Sequence, residues 1–176
     1  MKKIRPTLAE RIPLSMAFFV LCLLMIPWQA TSQTIEFSPP LNELRVTSRF
    51  GIRTHPILGK PLPHNGVDLA ANKSPIFNIL LGTVTHLGES PTLGKFIIIR
   101  SGHLEIIYGH LSKQLVTKGE IVLPGSTIGI SGKTGRVTGE HLHLSVKYQS
   151  HFLDPILFLK KLFELSLNPI NEKKDE

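Results

Sequence analysis

The sequence predicts a mostly β protein, an antiparallel β-sheet core with glycine-rich loops and one C-terminal helix. Three observations carry that expectation. The apolar runs between Leu44 and Tyr148 are short, 14 Gly and 13 Pro interrupt the chain without a collagen-like period, and one late segment repeats at helical spacing. Apolar residues make up 41% and charged residues 19%, which supplies a packed core and excludes a disordered chain or a coiled coil. At 176 residues there is room for one domain and a leader, and not for two domains with separate cores.

Taken in order, Lys2, Lys3, Arg5 and Arg11 precede Met16 to Ile26, a stretch free of charge, Gly and Pro. At 1.5 Å per residue it reaches about half of a ~30 Å hydrocarbon core. Residues 1–32 are therefore expected to be a secretory signal peptide, with an uncleaved N-terminal anchor as the alternative. Ala30 and Ser32 stand small-x-small before a mature start near Gln33. The lone Cys22 lies in the apolar run behind Phe19-Val20-Leu21, too bulky for a lipoprotein site, so the exported part has no cysteine and no disulfide. Residues 33–43, with Pro39-Pro40, read as a linker.

The folded part is expected over 44–150. Ile76 to Val84, Lys95 to Arg100, Leu104 to Tyr108, Ile121 to Leu123, Ile128 to Ile130 and Leu142 to Tyr148 read as strands separated by glycine-marked turns. Ser101-Gly102 between two of them predicts a hairpin. Residues 151–167 are expected to hold the helix, with Asp154 as cap, Pro155 in its first turn and Ile156, Leu159 and Phe163 at i, i+3 and i+7 covering the sheet. Residues 168–176 read as a flexible tail.

The formal charge is +7. Four bases and one acid fall before residue 33, leaving 16 bases against 12 acids, or +4. Such a domain suits an anionic surface such as a cell envelope. Nucleic acid is not an expected partner, because no basic stripe is interleaved with aromatics. Gly132-Lys133-Thr134 prompts a phosphate loop, but Thr127 stands where Walker spacing needs Gly. Lys133 in its glycine-flanked turn is a weak signal for a lipoyl-like carrier, since turn lysines are usually just solvated.

Chemistry concentrates in the histidines. In His141-Leu142-His143-Leu144-Ser145-Val146, strand alternation puts His141, His143 and Ser145 on one face and the aliphatic residues on the other. The two rings either converge on one small site or face solvent from an edge strand. Pro63-His64-Asn65-Gly66-Val67-Asp68 is no helix, and a bend at Gly66 lets His64 and Asp68 both turn inward, while the pair alone reads more readily as a solvated loop with Asp68 capping a turn. Together the two segments offer three nitrogen and oxygen ligands with a position left open, as catalytic rather than structural zinc requires. His110 closes a strand expected to be central, at the sheet's rim or as a core histidine bonded to backbone. His55, His86, His103 and His151 read as loop or surface residues.

From Ser48 to Val146 these elements occur in a familiar order: Ser48-Arg49-Phe50-Gly51 with Arg53, His55 and Pro56; His64, Gly66, Asp68 and Ala70; Ser74-Pro75-Ile76; Tyr108, His110, Leu111 and Ser112; Gly129, Gly132, Thr134-Gly135, Thr138-Gly139 and His141-Leu142-His143. The chain resembles the lysostaphin-type, or LytM-like, zinc metallopeptidases. The resemblance implies their fold, which is duplicated-hybrid-motif-like, with Zn²⁺ on His64, Asp68 and His143. It also implies that His110 and His141 act as catalytic groups flanking the attacking water. The implied activity is hydrolysis of peptide bonds in peptidoglycan stems or cross-bridges by an exported monomer of the periplasm, envelope or extracellular space, touching membrane only through an uncleaved anchor. A non-catalytic peptidoglycan-binding or hydrolase-activating module of the same fold is the alternative. Substrate-binding residues are not read from the sequence. Glu140 before His141, Leu144-Ser145 after His143 and Asn72-Lys73-Ser74-Pro75 depart from the family pattern. Glu140 is expected to add charge near the site, and Ser145 to make a weaker outer hydrogen bond than an acid would.

Overall fold

A computed structural model describes residues 35–54 and 59–167. The expected leader, the tail and His55 lie outside the described residues. The strands are β1 (Val46–Ser48), β2 (Gly51–Thr54), β3 (Pro61–His64), β4 (Val67–Ala70), β5 (Pro75–Phe77), β6 (Gly82–Ser90), β7 (Gly94–Ser101), β8 (Leu104–Gln114), β9 (Ile121–Val122), β10 (Thr127–Ser131), β11 (His141–Tyr148) and β12 (His151–Leu153), followed by helix α1 (Pro155–Leu167). One large antiparallel sheet runs β1-β4-β11-β8-β7-β6-β9, with β10 joining β5 and β8 and β12 joining β11, while β2 and β3 form a separate hairpin. The mostly β expectation is met. The β7–β8 hairpin turns at Gly102-His103, where Gly102 takes φ 57.

Strand β11 lies between β4 and β8, so it is central and not an edge. Its aliphatic residues Leu142, Leu144 and Val146 enter the core, and Ser145 and His143 are buried on the opposite face. The core gathers Val67, Leu69, Ile97, Ile99, Ile106 and Tyr108 from the neighbouring strands, each fully buried. Burying each of these side chains contributes about 1.5–3 kcal/mol, and together they set the register of the central strands. The Tyr108 hydroxyl accepts from the Ile79 amide at 3.0 Å and donates to Asn78 Oδ1 at 3.3 Å, so its polar end is satisfied inside that core.

Part of the segment expected as a linker docks onto the core. Leu41 is buried, the Ser38 amide donates to the Ile79 carbonyl at 2.9 Å, and the Phe77 amide donates to the Pro40 carbonyl at 3.0 Å. The end of the chain also differs in detail. His151–Leu153 pairs with β11 as β12, so the helix starts at Pro155, where Asp154 Oδ1 accepts from the Ile156 amide at 2.8 Å as an N-cap. The helix buries Pro155, Leu159 and Leu162, spaced i, i+4 and i+7. Phe163, expected in that stripe, is 56% exposed. Among the described residues no helix is long and apolar enough to cross a membrane.

Candidate metal centre

Backbone pairing brings the expected site residues together. The His143 position pairs with Asp68 on β4 and with Gly109 on β8, so β11 carries one residue of the site between two others. His64 ends β3 and Asp68 lies on β4, four residues on. Gly66 between them has no left-handed φ; its role is room. A Cβ there would lie 2.7 Å from the His143 ring atoms Cε1 and Nε2 and 2.5 Å from the Leu144 carbonyl oxygen. Glycine lets the turn press against the strand that carries His143.

His110 lies inside β8 and does not close it. Up to Gly109 that strand pairs with β11, and from Leu111 onward it pairs with β10. At the changeover His110 takes φ 61, an uncommon conformation for a residue with a side chain, and its amide donates to the Leu93 carbonyl at 2.7 Å. The twist turns its ring toward β11, 4.7 Å from the His141 ring centroid and 5.7 Å from that of His143.

Each of the four imidazoles has its outer nitrogen tied off. Nδ1–H of His64 donates to the Arg49 carbonyl at 2.8 Å, that of His110 to the Thr134 carbonyl at 2.9 Å, and that of His141 to the Gly139 carbonyl at 2.9 Å. Carbonyls only accept, so these three rings carry hydrogen on Nδ1; in its neutral form each presents Nε2 as a lone pair, and when protonated it donates from Nε2 as well. His143 is reversed, with Nε2 toward Ser145 Oγ at 3.0 Å and Nδ1 toward Asp68. Ser145 thus supplies the outer hydrogen-bond partner that the departure from the family pattern put in question.

The inner atoms converge on Asp68 Oδ1, with His143 Nδ1 at 2.9 Å, His64 Nε2 at 3.2 Å and His141 Nε2 at 3.5 Å. His64 Nε2 and His143 Nδ1 are 3.2 Å apart. The triangle of His64, Asp68 and His143 has edges close to the ~3.3 Å donor spacing of tetrahedral zinc with bonds of about 2.0–2.1 Å. Its donor chemistry also fits. Two ring lone pairs and a carboxylate oxygen facing one another repel unless a cation or protons lie between them. Among the described residues these three form the group able to hold a metal, and all three are buried.

Burial works against ionisation of Asp68, but hydrogen bonds from His143 and from His141 and His64 in their protonated forms outweigh it and hold the carboxyl well below its usual range. Burial pushes His110 down to about 4 despite the Thr134 carbonyl, which favours the charged ring. Burial also holds His143 below its ordinary value. Burial works against the charged form of His141 too, but its hydrogen bonds to Asp68 and to the Gly139 carbonyl, with the Asp68 charge, together raise it. The rings open onto a cleft of about 520 Å³ whose lining includes Thr47, Arg53, Leu93 and Arg136.

Glu140 faces away from this cleft. Its Oε1 accepts from Ser131 Oγ at 3.0 Å and from the Lys73 backbone amide, where Lys73 has φ 47. Two departures from the family pattern, the 72–75 turn and Glu140, thus brace each other behind the site, and Glu140 does not charge the cleft as expected. Sequence reading did not single out Thr134, which anchors the His110 wall. Its Oγ1 accepts from the Lys95 amide at 2.9 Å and donates to the Leu111 carbonyl at 2.8 Å, while its own carbonyl takes the His110 proton. The Thr134-Gly135 pair was visible as a motif, but the contact is not legible without the fold. His86, His103 and His151 are exposed, as expected.

Comparison with known proteins bears on the family and the fold. Residues 62–155 match the model of peptidase family M23. Over 108 residues, 60% of this chain and 25% of the relative, the sequence is 41% identical to the peptidoglycan DD-endopeptidase ShyA of Vibrio cholerae. The catalytic domain of lysostaphin, the antimicrobial peptidase of Staphylococcus simulans, superposes with a TM-score of 0.65 at 33% identity, covering 71% of this chain and 99% of that domain. A zinc-containing peptidase from Vibrio cholerae gives a TM-score of 0.61 at 34% identity over 67% of this chain and 38% of its own. The chain spans about a quarter of the length of the curated relatives it matches. With a family match across more than half its residues and a fold shared with a complete catalytic domain, the chain belongs to peptidase family M23.

Proposed function

We propose that this protein is a zinc metalloendopeptidase that hydrolyses peptide bonds in the stems or cross-bridges of peptidoglycan. The observation supporting it is the convergence of His64 Nε2, Asp68 Oδ1 and His143 Nδ1 in a triangle of tetrahedral size, with two further imidazoles beside it in an open cleft. In this reading those three residues hold Zn²⁺. Zinc supplies Lewis acidity, lowering the pKa of a coordinated water and polarising a carbonyl. The Arg49 carbonyl and Ser145 Oγ keep the two ligand rings turned inward.

His110 and His141 handle protons and developing charge. Each presents Nε2, because its Nδ1–H is committed to a backbone carbonyl. A free Nε2 takes a proton from an attacking water, and the resulting imidazolium can donate it to the departing amine or hydrogen-bond the tetrahedral oxyanion. Rings 4.7 Å apart on different strands can serve opposite sides of one carbonyl.

The domain layout we propose is an exported one: a leader at 1–32, then the catalytic domain at 44–150 with its helix at 151–167, acting as a monomer in the envelope where peptidoglycan lies. Elemental analysis of the purified protein, with digestion of defined cross-linked muropeptides read by product mass, tests the activity. The expected result is one zinc per chain and cleavage that His64→Ala abolishes. Unchanged cleavage by His64→Ala, or a zinc-free protein with full activity, overturns the reading.

A further inference from the structure

We propose that Arg53 and Arg136 form a carboxylate-reading subsite, so that the peptide accepted by this cleft carries a free carboxylate beside the bond that is cut. The inference deepens the proposed function and rests on it. The charge balance of the cleft motivates it. Among the described residues its lining has two guanidinium groups, Arg53 and Arg136, and a single carboxylate, Asp68; much of the rest is neutral and hydroxyl-bearing, including Thr47, Ser48 and Thr138.

That one carboxylate is already committed. Asp68 Oδ1 is ringed by three imidazoles, and Oδ2 lies 3.5 Å from Arg53 Nη2, well beyond the ~2.7–2.9 Å of a strong charge-assisted hydrogen bond. When a divalent cation sits on His64, Asp68 and His143, the charge of Asp68 is offset by the ion and both arginines lack a counter-charge in the cleft. A cleft of one sign with protein walls concentrates substrates of the other sign.

Arg53 is the better built of the two. Its side chain is 28% exposed, and among the described residues its Nε is out of solvent contact with no hydrogen-bond partner and its one ion pair is the long contact to Asp68. A guanidinium carries five N–H donors in a fixed fork that matches a carboxylate, and among the described residues Nε of Arg53 has no acceptor. Burying such a group without partners costs free energy unless something in the working state supplies them. Arg136 enters the cleft from the loop between β10 and β11, which its backbone amide ties to the Thr92 carbonyl at 3.1 Å. Its side chain is exposed and forms no ion pair among the described residues. One guanidinium on the β2–β3 hairpin and one on this loop give a carboxylate two points of contact.

The test uses two cross-linked peptides that differ only at the group beside the scissile bond, a carboxylate in one and its carboxamide in the other. Wild type is expected to favour the carboxylate peptide about tenfold or more in kcat/KM, the scale of charge-assisted hydrogen bonds. Arg136→Gln is expected to collapse that ratio toward unity without changing zinc content. Arg53→Gln is expected to do the same, with Arg53→Lys restoring part of the preference. Binding of both peptides to the zinc-loaded His141→Ala protein, which keeps the three proposed ligands, gives by calorimetry a readout independent of turnover, and the preference should persist there and disappear in His141→Ala/Arg136→Gln. Equal rates on the two peptides by wild type, or a preference that survives both arginine substitutions, overturns the subsite. If wild type cleaves neither peptide and holds no zinc, the proposed function itself falls and the subsite falls with it.

Discussion

Replacing Gly66 with alanine exchanges a hydrogen for a methyl group, and the structure places that carbon against the proposed metal site. The new Cβ would lie 2.7 Å from His143 Cε1 and Nε2 and 2.5 Å from the Leu144 carbonyl oxygen. Carbon atoms rest at about 3.5–4.0 Å, so something must move by roughly 0.7 Å or more. Neither backbone can give way cheaply, because Val67 pairs with Leu144 and Asp68 with His143 in the β4–β11 ladder. The ring of His143 is the softer neighbour. Overpacking of this kind costs about 1–3 kcal/mol, which lowers the Tm of a domain this size by roughly 4–12 °C. Metal sites tolerate ligand displacements of about 0.2 Å, and disturbing a ligand's support typically costs 10–100-fold in affinity. Zinc affinity of Gly66→Ala, measured by competition with a chromophoric chelator, should therefore fall at least about tenfold, with a lower Tm in the metal-free protein. Gly88→Ala is the control, since its Cβ would meet Phe96 at an ordinary 3.7 Å. If Gly66→Ala binds zinc as wild type does, the placement of His143 Nδ1 as a ligand is refuted.

Ser145→Ala removes the oxygen facing His143 Nε2 in a buried setting and should weaken zinc binding about tenfold in the same competition assay, with Ser145→Thr recovering part of it. Thr134→Val orphans the Lys95 amide and loosens the segment whose carbonyl holds His110 Nδ1–H; kcat should fall with little change in KM, and Thr134→Ser should restore it. For the metal-free protein, His110 is held at about 4 when folded against an ordinary 6.5, so the unfolded chain takes up the proton first as pH falls. Stability contributed by the neutral ring is present above pH 6.5 and is lost on the way down to pH 4, about 3 kcal/mol in all. Urea unfolding at pH 7 and pH 4.5 measures that loss, and His110→Asn, with a residue suited to the left-handed conformation, should reduce it.

Much of the fold was legible because its determinants are local. Alternation along 141–146 put Leu142, Leu144 and Val146 on one face, and the same period put His141, His143 and Ser145 on the other. Ser101-Gly102 marked the β7–β8 hairpin for a similar reason, since a two-residue turn needs a residue that accepts positive φ. What the sequence could not show is which strands become neighbours. His151–Leu153 reads equally as a lead-in to the helix, and it becomes β12 because β4 pairs only with residues 141–144 of β11 and leaves Val146–Tyr148 open on that side. Pro39-Pro40 looks like a linker until Leu41 finds its place in the core. Phe163 fits a helical stripe by spacing, yet the helix buries Leu162 and leaves Phe163 exposed.

The candidate site shows the same division more sharply. Side-chain donors are visible in a sequence, but three of the four outer hydrogen-bond acceptors are backbone carbonyls, at Arg49, Thr134 and Gly139, and any residue type supplies a carbonyl. Their placement depends on the fold: on the chain between β1 and β2, on the β10–β11 loop, and on the kink that gives His110 a positive φ. Fixing the outer N–H at His64, His110 and His141 sets which nitrogen faces inward, and in their neutral forms these three rings leave lone pairs beside one carboxylate. A protein that folds into this arrangement holds unfavourable electrostatics in its metal-free state and recovers that free energy on binding a cation. The rigidity that orients the rings and the affinity for the ion then have a common origin, which is why substitutions at Gly66, Thr134 and Ser145, none of them a ligand, are expected to act on the same centre.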